Sequence, residues 1–288
     1  MASFLIIFNG KAYYGEELRY TIILSTGPQD PNFTAILLCL PLVAFLIRAF
    51  YSTTKKSIII CGLGSILLLL TIVLTGSRTG MIAIASVIGT MFFAWIFKYK
   101  KEKKTKVTWK NMVFTMVTVV VVFAVGIMIL PDQIVGRIFN YNSLYQYDNS
   151  QIVAGSPRLN IWLNSLDIIS NKPIQGFGLG MFDYYLPQHK GLVTAIHNTY
   201  IDIWFQFGIA GLMAFGALVI RYLIEIIKTK SFLLISIMFV LAIGCMFLDM
   251  FYGREIWIII CSLSLYLNFC KDTGLTMEEI FGGRKYEG

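Results

Sequence analysis

Three side chains with distinct chemistry lie at the edges of long apolar runs: Arg78, Arg158 and His197. The guanidinium of arginine binds phosphate oxygens in pairs, and histidine is the side chain best suited to accept a proton near neutral pH. Arg158 follows Ser156 and Pro157, which are typical of a helix N-cap and first helical residue. Free backbone N–H groups at such a helix start favour an anion, so Arg158 indicates a phosphate site.

Each of these residues also has an ordinary structural interpretation. From the residue type alone, an arginine such as Arg158 more often pairs with a lipid headgroup or a nearby carboxylate. Surface ion pairs of this kind usually contribute little to stability and do not by themselves indicate a function. Arg78 can extend to the headgroups from the membrane boundary. A lone histidine such as His197 is more often a hydrogen-bonded interface residue than a catalyst. Because the three residues fall on different elements of one predicted face, we favour a shared function.

Polar residues directly after His197 are further candidates. Asn198 is adjacent, and Asp202 and Gln206 lie one helical turn apart early in the next apolar run. Ionisable residues at membrane depth are functional candidates by default, and we expect Asp202 to support His197. The other histidine, His189, has flanks that give no reason to prefer it. The remaining candidate residues are Arg19 and Arg254.

The composition places these residues in a membrane protein. Of the 288 residues, 57% are apolar and 14% are charged, and the apolar residues lie in uninterrupted runs. Soluble domains carry about 25% charged residues, so a soluble enzyme, a disordered chain and a disulfide scaffold are excluded. The five cysteines all fall in apolar runs and show neither disulfide nor metal-ligand spacing.

The positive charge of the chain is concentrated in one loop. The net charge is +8, and residues 98–110 hold seven lysines and one glutamate. A basic loop between two apolar runs fits the positive-inside rule of membrane proteins much better than a nucleic-acid groove. We therefore expect residues 98–110 in the cytoplasm and no nucleic-acid partner.

Seven apolar segments approach the roughly 20 residues that a membrane-spanning helix needs. The predicted spans are 33–51, 58–75, 79–97, 111–130, 203–220 with a lead-in from 198, 231–250 and the short 256–270. The predicted fold is an all-α membrane protein of about seven transmembrane helices with one large extracytoplasmic segment. Four spans fall in 33–130 and three in 198–270. The predicted inner segments are 52–57, 98–110, 221–230 and the tail 271–288; the predicted outer segments are 1–32, 76–78, 131–197 and 251–255.

The outer segment 131–197 is the one long stretch too polar to span the membrane, and segments of this kind are usually functional. Apolar residues at helical spacing from Pro157 to Asn171 predict an amphipathic helix that lies on the membrane surface or against the bundle. The following run Gly176–Gly180 lacks the context of a dinucleotide-binding fingerprint and indicates a tight, backbone-exposed turn.

In these residues the chain resembles the superfamily of O-antigen ligases and O-antigen polymerases. The resemblance covers roughly residues 16–220 and rests on an ordered series of short motifs. These are Arg19 with Asp30-Pro31-Asn32; Ser77-Arg78-Thr79-Gly80; Arg158 and Trp162; Asn171-Lys172-Pro173-Ile174; Gly176–Gly180; His197-Asn198-Thr199-Tyr200; and Phe207-Gly208-Ile209-Ala210-Gly211. Members usually carry several more spans before the Asp-Pro-Asn motif, so we expect this chain to correspond to the later part of a longer enzyme.

The resemblance implies transfer of a glycan from an undecaprenyl-pyrophosphate carrier to an acceptor hydroxyl, without a nucleotide-sugar donor. The sequence contains no Asp-x-Asp metal motif, so we expect neither a metal nor another cofactor. The resemblance places the reaction at the outer face of the bacterial cytoplasmic membrane and implies a chain-length regulator or a flippase as further partners. His197 is the expected base. Arg78 and Arg158 would stabilise the charge on the leaving pyrophosphate. A single displacement would invert the anomeric carbon.

Three functions remain open at this point. Polymerisation of repeat units of a surface polysaccharide is favoured slightly, because the abundance of Lys, Ile and Phe suggests an AT-rich genome, as in cells without lipopolysaccharide. Ligation of a finished glycan to a lipid or protein acceptor uses the same motifs. A non-enzymatic exporter or assembly subunit, or an inactive truncated homologue, is the third. Transport is disfavoured because the polar candidates crowd the outer edge instead of lining a path.

Overall fold

A computed structural model describes residues 10–14, 17–24, 27–52, 54–101, 117, 128, 147–148, 151–152, 157–185 and 195–281. This part of the chain is mostly helical, as the sequence predicts. Nearly all of the predicted span 111–130 lies outside the described residues. So do His189, Ser156 and most of the basic loop 98–110.

The helices, numbered in chain order within these ranges, have the following bounds. They are α1 (Pro31–Tyr51), α2 (Lys55–Leu74), α3 (Arg78–Lys101), α4 (Pro157–Ser170), α5 (Phe182–Tyr185), α6 (Thr199–Thr229), α7 (Phe232–Phe247), α8 (Arg254–Thr273) and α9 (Met277–Phe281). Six of the seven predicted spans therefore coincide with helices.

Short antiparallel ribbons are an exception to the predicted all-α fold. The strands are β1 (Lys11–Tyr14), β2 (Glu17–Tyr20), β3 (Ile23–Leu24), β4 (Gly27–Pro28), β5 (Tyr147–Asp148) and β6 (Gln151–Ile152). They pair as β1 with β2, β3 with β4, and β5 with β6. Two of the ribbons lie in the predicted outer segment 1–32, for which hydropathy contained no strand signal.

Four described helices are long and apolar enough to cross a membrane: α1, α2, α6 and residues Ile256–Thr273 of α8. Two shorter apolar helical stretches are Arg78–Phe93 in α3 and Phe232–Phe247, which is α7. The chain is therefore a multi-pass membrane protein, although the described residues do not establish the predicted number of seven spans.

One predicted span needs correction. The span 231–250 is too long, because α7 ends at Phe247 and the next residues turn to hydrogen-bond with residues 197–199. The predicted span 203–220 lies inside α6, which runs from Thr199 to Thr229 and includes the predicted lead-in except its first residue.

The chain divides into two compact units. The first comprises residues 1–139, 225–243 and 262–288, and the second comprises residues 140–224 and 244–261. In the first unit, α1 packs against α2, α3 and α9. Gly80 allows the close approach of α3 to α1, because a Cβ atom at this position would lie 2.7 Å from the Cβ of Ala35.

The second unit has its own aromatic core. Ile169, Phe182, Ile196 and Phe205 are buried together. Phe177 stacks on Phe205 with ring centroids 4.9 Å apart. One face of the amphipathic helix α4 packs on this core, while three leucines of the helix are exposed. Those leucines are Leu159, Leu163 and Leu166.

Helix α6 is interrupted at Gly208, whose φ of 66° and ψ of −167° are not helical. The loop that follows α4 satisfies the backbone groups that the interruption leaves without helical partners. The N–H groups of Phe177 and Gly178 donate to the carbonyls of Phe205 (2.7 Å) and Gln206 (3.0 Å), and the N–H of Ile209 donates to Pro173 at 2.9 Å. Such pairing is required for irregular backbone at membrane depth.

Candidate functional site

The backbone of His197 and Asn198 is bound by a carboxylate that follows α7. The N–H of His197 donates to Oδ2 of Asp249 at 3.0 Å, and the N–H of Asn198 donates to Oδ1 at 3.2 Å. His197 adopts a φ of +55°, which is uncommon for a residue other than glycine. The two hydrogen bonds therefore hold a strained backbone in place at the expected catalytic base.

The residues next to His197 begin helix α6. The side chain of Asn198 is its N-cap, because Oδ1 accepts from the N–H groups of Tyr200 (3.0 Å) and Ile201 (3.1 Å). The hydroxyl of Thr199 donates to the carbonyl of Leu248 at 2.7 Å and accepts from the N–H of Met250 at 2.9 Å. Hydrogen bonds consequently join the start of α6 to residues 248–250.

The imidazole of His197 lies beside the same carboxylate. Its Nδ1 is 3.8 Å from Oδ2 of Asp249, and the side chains of His197 and Asp249 are 32% and 15% exposed. This separation is longer than a hydrogen bond, but it is short enough for the negative charge to stabilise a protonated imidazole. A partly exposed histidine beside a more buried carboxylate can take a proton from a bound hydroxyl group.

Arg158 belongs to the same electrostatic group. It is the second residue of α4 and is half-buried, and its positive charge acts on Asp249. Burial raises the pKa of the Asp249 carboxyl, whereas the two backbone N–H groups and the charges of His197 and Arg158 oppose this rise. Helix α4 is also tied to the residue before His197, because Nε1 of Trp162 donates to the carbonyl of Ile196 at 3.0 Å.

A second polar network lies one turn further along α6. Nε2 of Gln206 donates to Oδ1 of Asp202 at 2.7 Å and to the hydroxyl of Tyr252. Oε1 of Gln206 accepts from the N–H of Gly180 at 3.3 Å. The predicted tight turn at Gly176–Gly180 is confirmed, because the three glycines at 176, 178 and 180 have φ values of 72°, 95° and 72°.

The first unit contains Arg19 and its motif partners. Nε of Arg19 donates to the carbonyl of Thr75 at 3.1 Å, and Nη2 donates to Oδ1 of Asn32 at 3.1 Å. The hydroxyl of Ser77 donates to the same Asn32 oxygen at 2.9 Å, and Asp30 accepts from the N–H of Asn32 at 2.6 Å. Arg19 places its charge at the C-terminus of α2, where the helix dipole favours a cation. This placement is structural, and a substrate-binding role for Arg19 stays a prediction.

Arg78 is the first residue of α3, also in the first unit. The turn before it contains Gly76 with a φ of 62°, and the hydroxyl of Ser77 accepts from the N–H of Gly80 at 3.1 Å. The motif Ser77–Gly80 therefore begins a helix and holds Arg78, half-buried, in its first turn.

The candidate residues are thus divided between the units. Arg158, His197, Asn198 and Asp202 lie together in the second unit; Arg254 belongs to that unit as the exposed first residue of α8. Within the described ranges, no three His, Cys, Asp or Glu side chains are grouped as metal ligands would be.

Sequence reasoning missed Asp249, although a signal was present. It is the one acidic or basic residue of the predicted span 231–250. Such a residue is a functional candidate by the same rule that selected Asp202. The predicted span includes Asp249, whereas α7 ends two residues before it.

Comparison with known proteins adds two findings. A sequence model of a family described as O-Antigen ligase matches residues 63–216, which is just over half of this chain. An uncharacterized protein of Haemophilus influenzae is 21% identical over 204 residues, which cover 66% of this chain and 48% of that protein. The chain therefore matches about half the length of this relative. The family match includes Arg78, Arg158 and His197 and ends before Asp249.

Proposed function

The chain belongs to the O-antigen ligase family of membrane glycosyltransferases, and we propose that it transfers a glycan from undecaprenyl pyrophosphate to an acceptor hydroxyl. The proposed site faces the outside of the bacterial cytoplasmic membrane. The observation that carries the proposal is the pairing of His197 with Asp249. The Asp249 carboxylate lies beside the imidazole and accepts hydrogen bonds from the backbone N–H groups of His197 and Asn198.

In the proposed step, the acceptor hydroxyl attacks the anomeric carbon of the donor glycan. Its proton passes to the imidazole of His197, and the negative charge of Asp249 stabilises the imidazolium that forms. The bond between the anomeric carbon and the pyrophosphate oxygen breaks, and lipid pyrophosphate leaves. A single displacement inverts the anomeric carbon, and the proton later passes from His197 to solvent.

Arginine is proposed to stabilise the departing pyrophosphate. Arg158 combines a guanidinium with a position in the first turn of α4, and both its charge and the helix N-terminus favour a phosphate. Its charge opposes the dipole of its own helix, which an anion in the same place would correct. Arg78 occupies the first turn of α3 and is proposed for the same chemistry on the evidence of its motif. The stabilisation grows as the bond breaks, so it accelerates the step.

We expect each of the changes Arg78→Ala, Arg158→Ala and His197→Ala to reduce glycan transfer by about a hundredfold or more, because each removes a charge-stabilising group or the base. Transfer is measured in membranes of a strain that lacks this chain and accumulates its lipid-linked glycan. Insertion is measured by immunoblotting of the membrane fraction.

Two matched controls are present in the chain. His189→Ala removes the other histidine, and Arg221→Ala removes an exposed arginine of α6. Both are expected to transfer glycan at the wild-type rate. Near-normal product from all three site variants would contradict the proposal.

Polymerisation of repeat units is the proposed form of the reaction, and ligation of a finished glycan is the alternative. The matched family is described by ligase activity, whereas the site chemistry is the same for both. A defined lipid-linked repeat incubated with the protein separates them. A polymerase yields a ladder of chains that differ by one repeat, whereas a ligase yields a single transfer to a lipid or protein acceptor.

A further inference from the structure

One buried carboxylate oxygen in the second unit accepts no hydrogen bond within the described structure. Asp202 is 4% exposed, and its Oδ1 accepts from Gln206, but Oδ2 is buried and unpartnered. Buried polar atoms without partners are rare and costly, so each one needs a reason. A substrate group that completes the hydrogen bonding is such a reason.

The orientation of this oxygen is fixed by its neighbours. Gln206 donates through Nε2 to both Asp202 and the Tyr252 hydroxyl, and its Oε1 accepts from Gly180. All three groups that fix Gln206 belong to different segments of the second unit. Gln206 is therefore held on both sides of its amide, and it orients the Asp202 carboxylate through Oδ1.

The oxygen is close to the proposed base along the chain. The N–H of Asp202 donates to the carbonyl of Asn198 at 2.9 Å, so Asp202 lies one helical turn after the residue that follows His197. The charge of Asp249 acts on both Asp202 and Tyr252. Tyr252 is 52% exposed, so this end of the network is open to a bound molecule.

We propose that Oδ2 of Asp202 binds a second hydroxyl group of the acceptor sugar and so selects which acceptor presents its reacting hydroxyl to His197. This role rests on the proposed glycan transfer. Asp202 would be a specificity-determining residue and not the base. A site built to bind a sugar hydroxyl rejects analogues that lack it, because the buried acceptor is then left unpaired.

The test measures binding of a defined probe to the full-length protein in detergent. The probe is the glycan released by mild acid from the lipid-linked pool of cells that lack this chain, labelled at its reducing end. All variants carry His197→Ala, so that binding is measured without turnover. Asp202→Asn keeps the size of the side chain but can place an amide NH2 where Oδ2 was. We expect its Kd to rise at least about tenfold, the effect of losing a hydrogen bond to a charged group.

Asp167→Asn is the matched control, because it makes the same chemical change at a position that is exposed on α4. It is expected to bind the probe like the parent. Equal Kd values for Asp202→Asn and the parent would overturn the subsite. Transfer by the wild-type protein is measured separately. If the wild-type protein transfers no glycan but Asp202→Asn still weakens binding of the probe, the proposed function is overturned and the subsite stands.

Two further measurements keep the test decisive if Asp202→Asn folds poorly. Tyr252→Phe removes one partner of Gln206 at a half-exposed position, and we expect a smaller but measurable rise in Kd. Methylation of the hydroxyl groups of the probe should weaken its binding to the parent at least about tenfold, since a methylated oxygen cannot donate. Unchanged binding of the methylated probe would contradict the proposal.

Discussion

At the scale of single residues, Asp249 determines the conformation of the proposed base. A φ of +55° at His197 costs free energy that the two hydrogen bonds to Asp249 offset. The same carboxylate faces the imidazole, so the group that holds the strained backbone also stabilises the protonated ring. Both effects depend on its negative charge, and acidification should remove them together.

We expect Asp249→Asn to lower the rate of transfer by about a hundredfold, because the amide oxygen accepts only one of the two N–H groups at full strength and carries no charge. The pH dependence gives a second measurement. Since burial raises the pKa of Asp249, its carboxylate is lost at a higher pH than that of an ordinary aspartate as the solution is acidified. The rate of wild-type transfer should therefore begin to fall at a higher pH than the protonation of an ordinary aspartate would give.

The pH–rate profile of Asp249→Asn is expected to lack this acidic step. Immunoblotting and a thermal unfolding curve show whether the variant is inserted and folded. Superimposable profiles for the wild-type and variant proteins would contradict the role of Asp249.

At the scale of elements, the interruption of α6 connects the glycine-rich turn with the polar residues of the site. A Cβ atom at Gly208 would lie 1.9 Å from the carbonyl oxygen of Ile174, and one at Gly176 would lie 2.5 Å from the N atom of Gly208. Only glycine permits this approach. The turn in turn reaches Gln206 through Gly180, so the loop after α4 orders the network around Asp202.

We expect Gly208→Ala to lower the unfolding midpoint by at least about 3 °C and to reduce transfer, because a left-handed alanine costs about 1–2 kcal/mol even before the clash with Ile174. Gly216→Ala is the matched control in the same helix, since a Cβ atom there meets nothing within 4 Å. It should keep or raise the midpoint, as alanine favours a helix. Equal midpoints for the two variants would show that the loop does not dock on the interruption.

Sequence patterns located most helices, because runs of apolar residues report burial in lipid directly. They predicted the start of α4 from Pro157 and the turn at Gly176–Gly180 from residue types with specific backbone preferences. They did not reveal the interruption at Gly208, since one glycine inside an apolar run has no local signature. Asp249 was missed for a related reason: its partners at residues 197 and 198 are more than fifty positions away in the sequence.

At the scale of the whole molecule, the proposed function depends on which side of the membrane each loop faces. The positive-inside rule predicts a cytoplasmic location for three basic loops, 52–57, 98–110 and 221–230. Alternation then predicts that α4 and the loop around His197 lie outside. The proposed donor, a lipid-linked glycan, is expected at that face and nucleotide sugars are not, so the proposed orientation and the proposed donor depend on each other.

Cysteine labelling in intact cells tests this orientation. Asp167→Cys lies on an exposed face of α4, and Lys56→Cys lies at the exposed start of α2. A membrane-impermeant maleimide should label Asp167→Cys in intact cells, and Lys56→Cys only after the membrane is opened, because a charged reagent does not cross the apolar core of the bilayer. The wild-type protein, with its five native cysteines, gives the background. The reverse pattern would place His197 in the cytoplasm and remove the basis for a donor presented at the outer face.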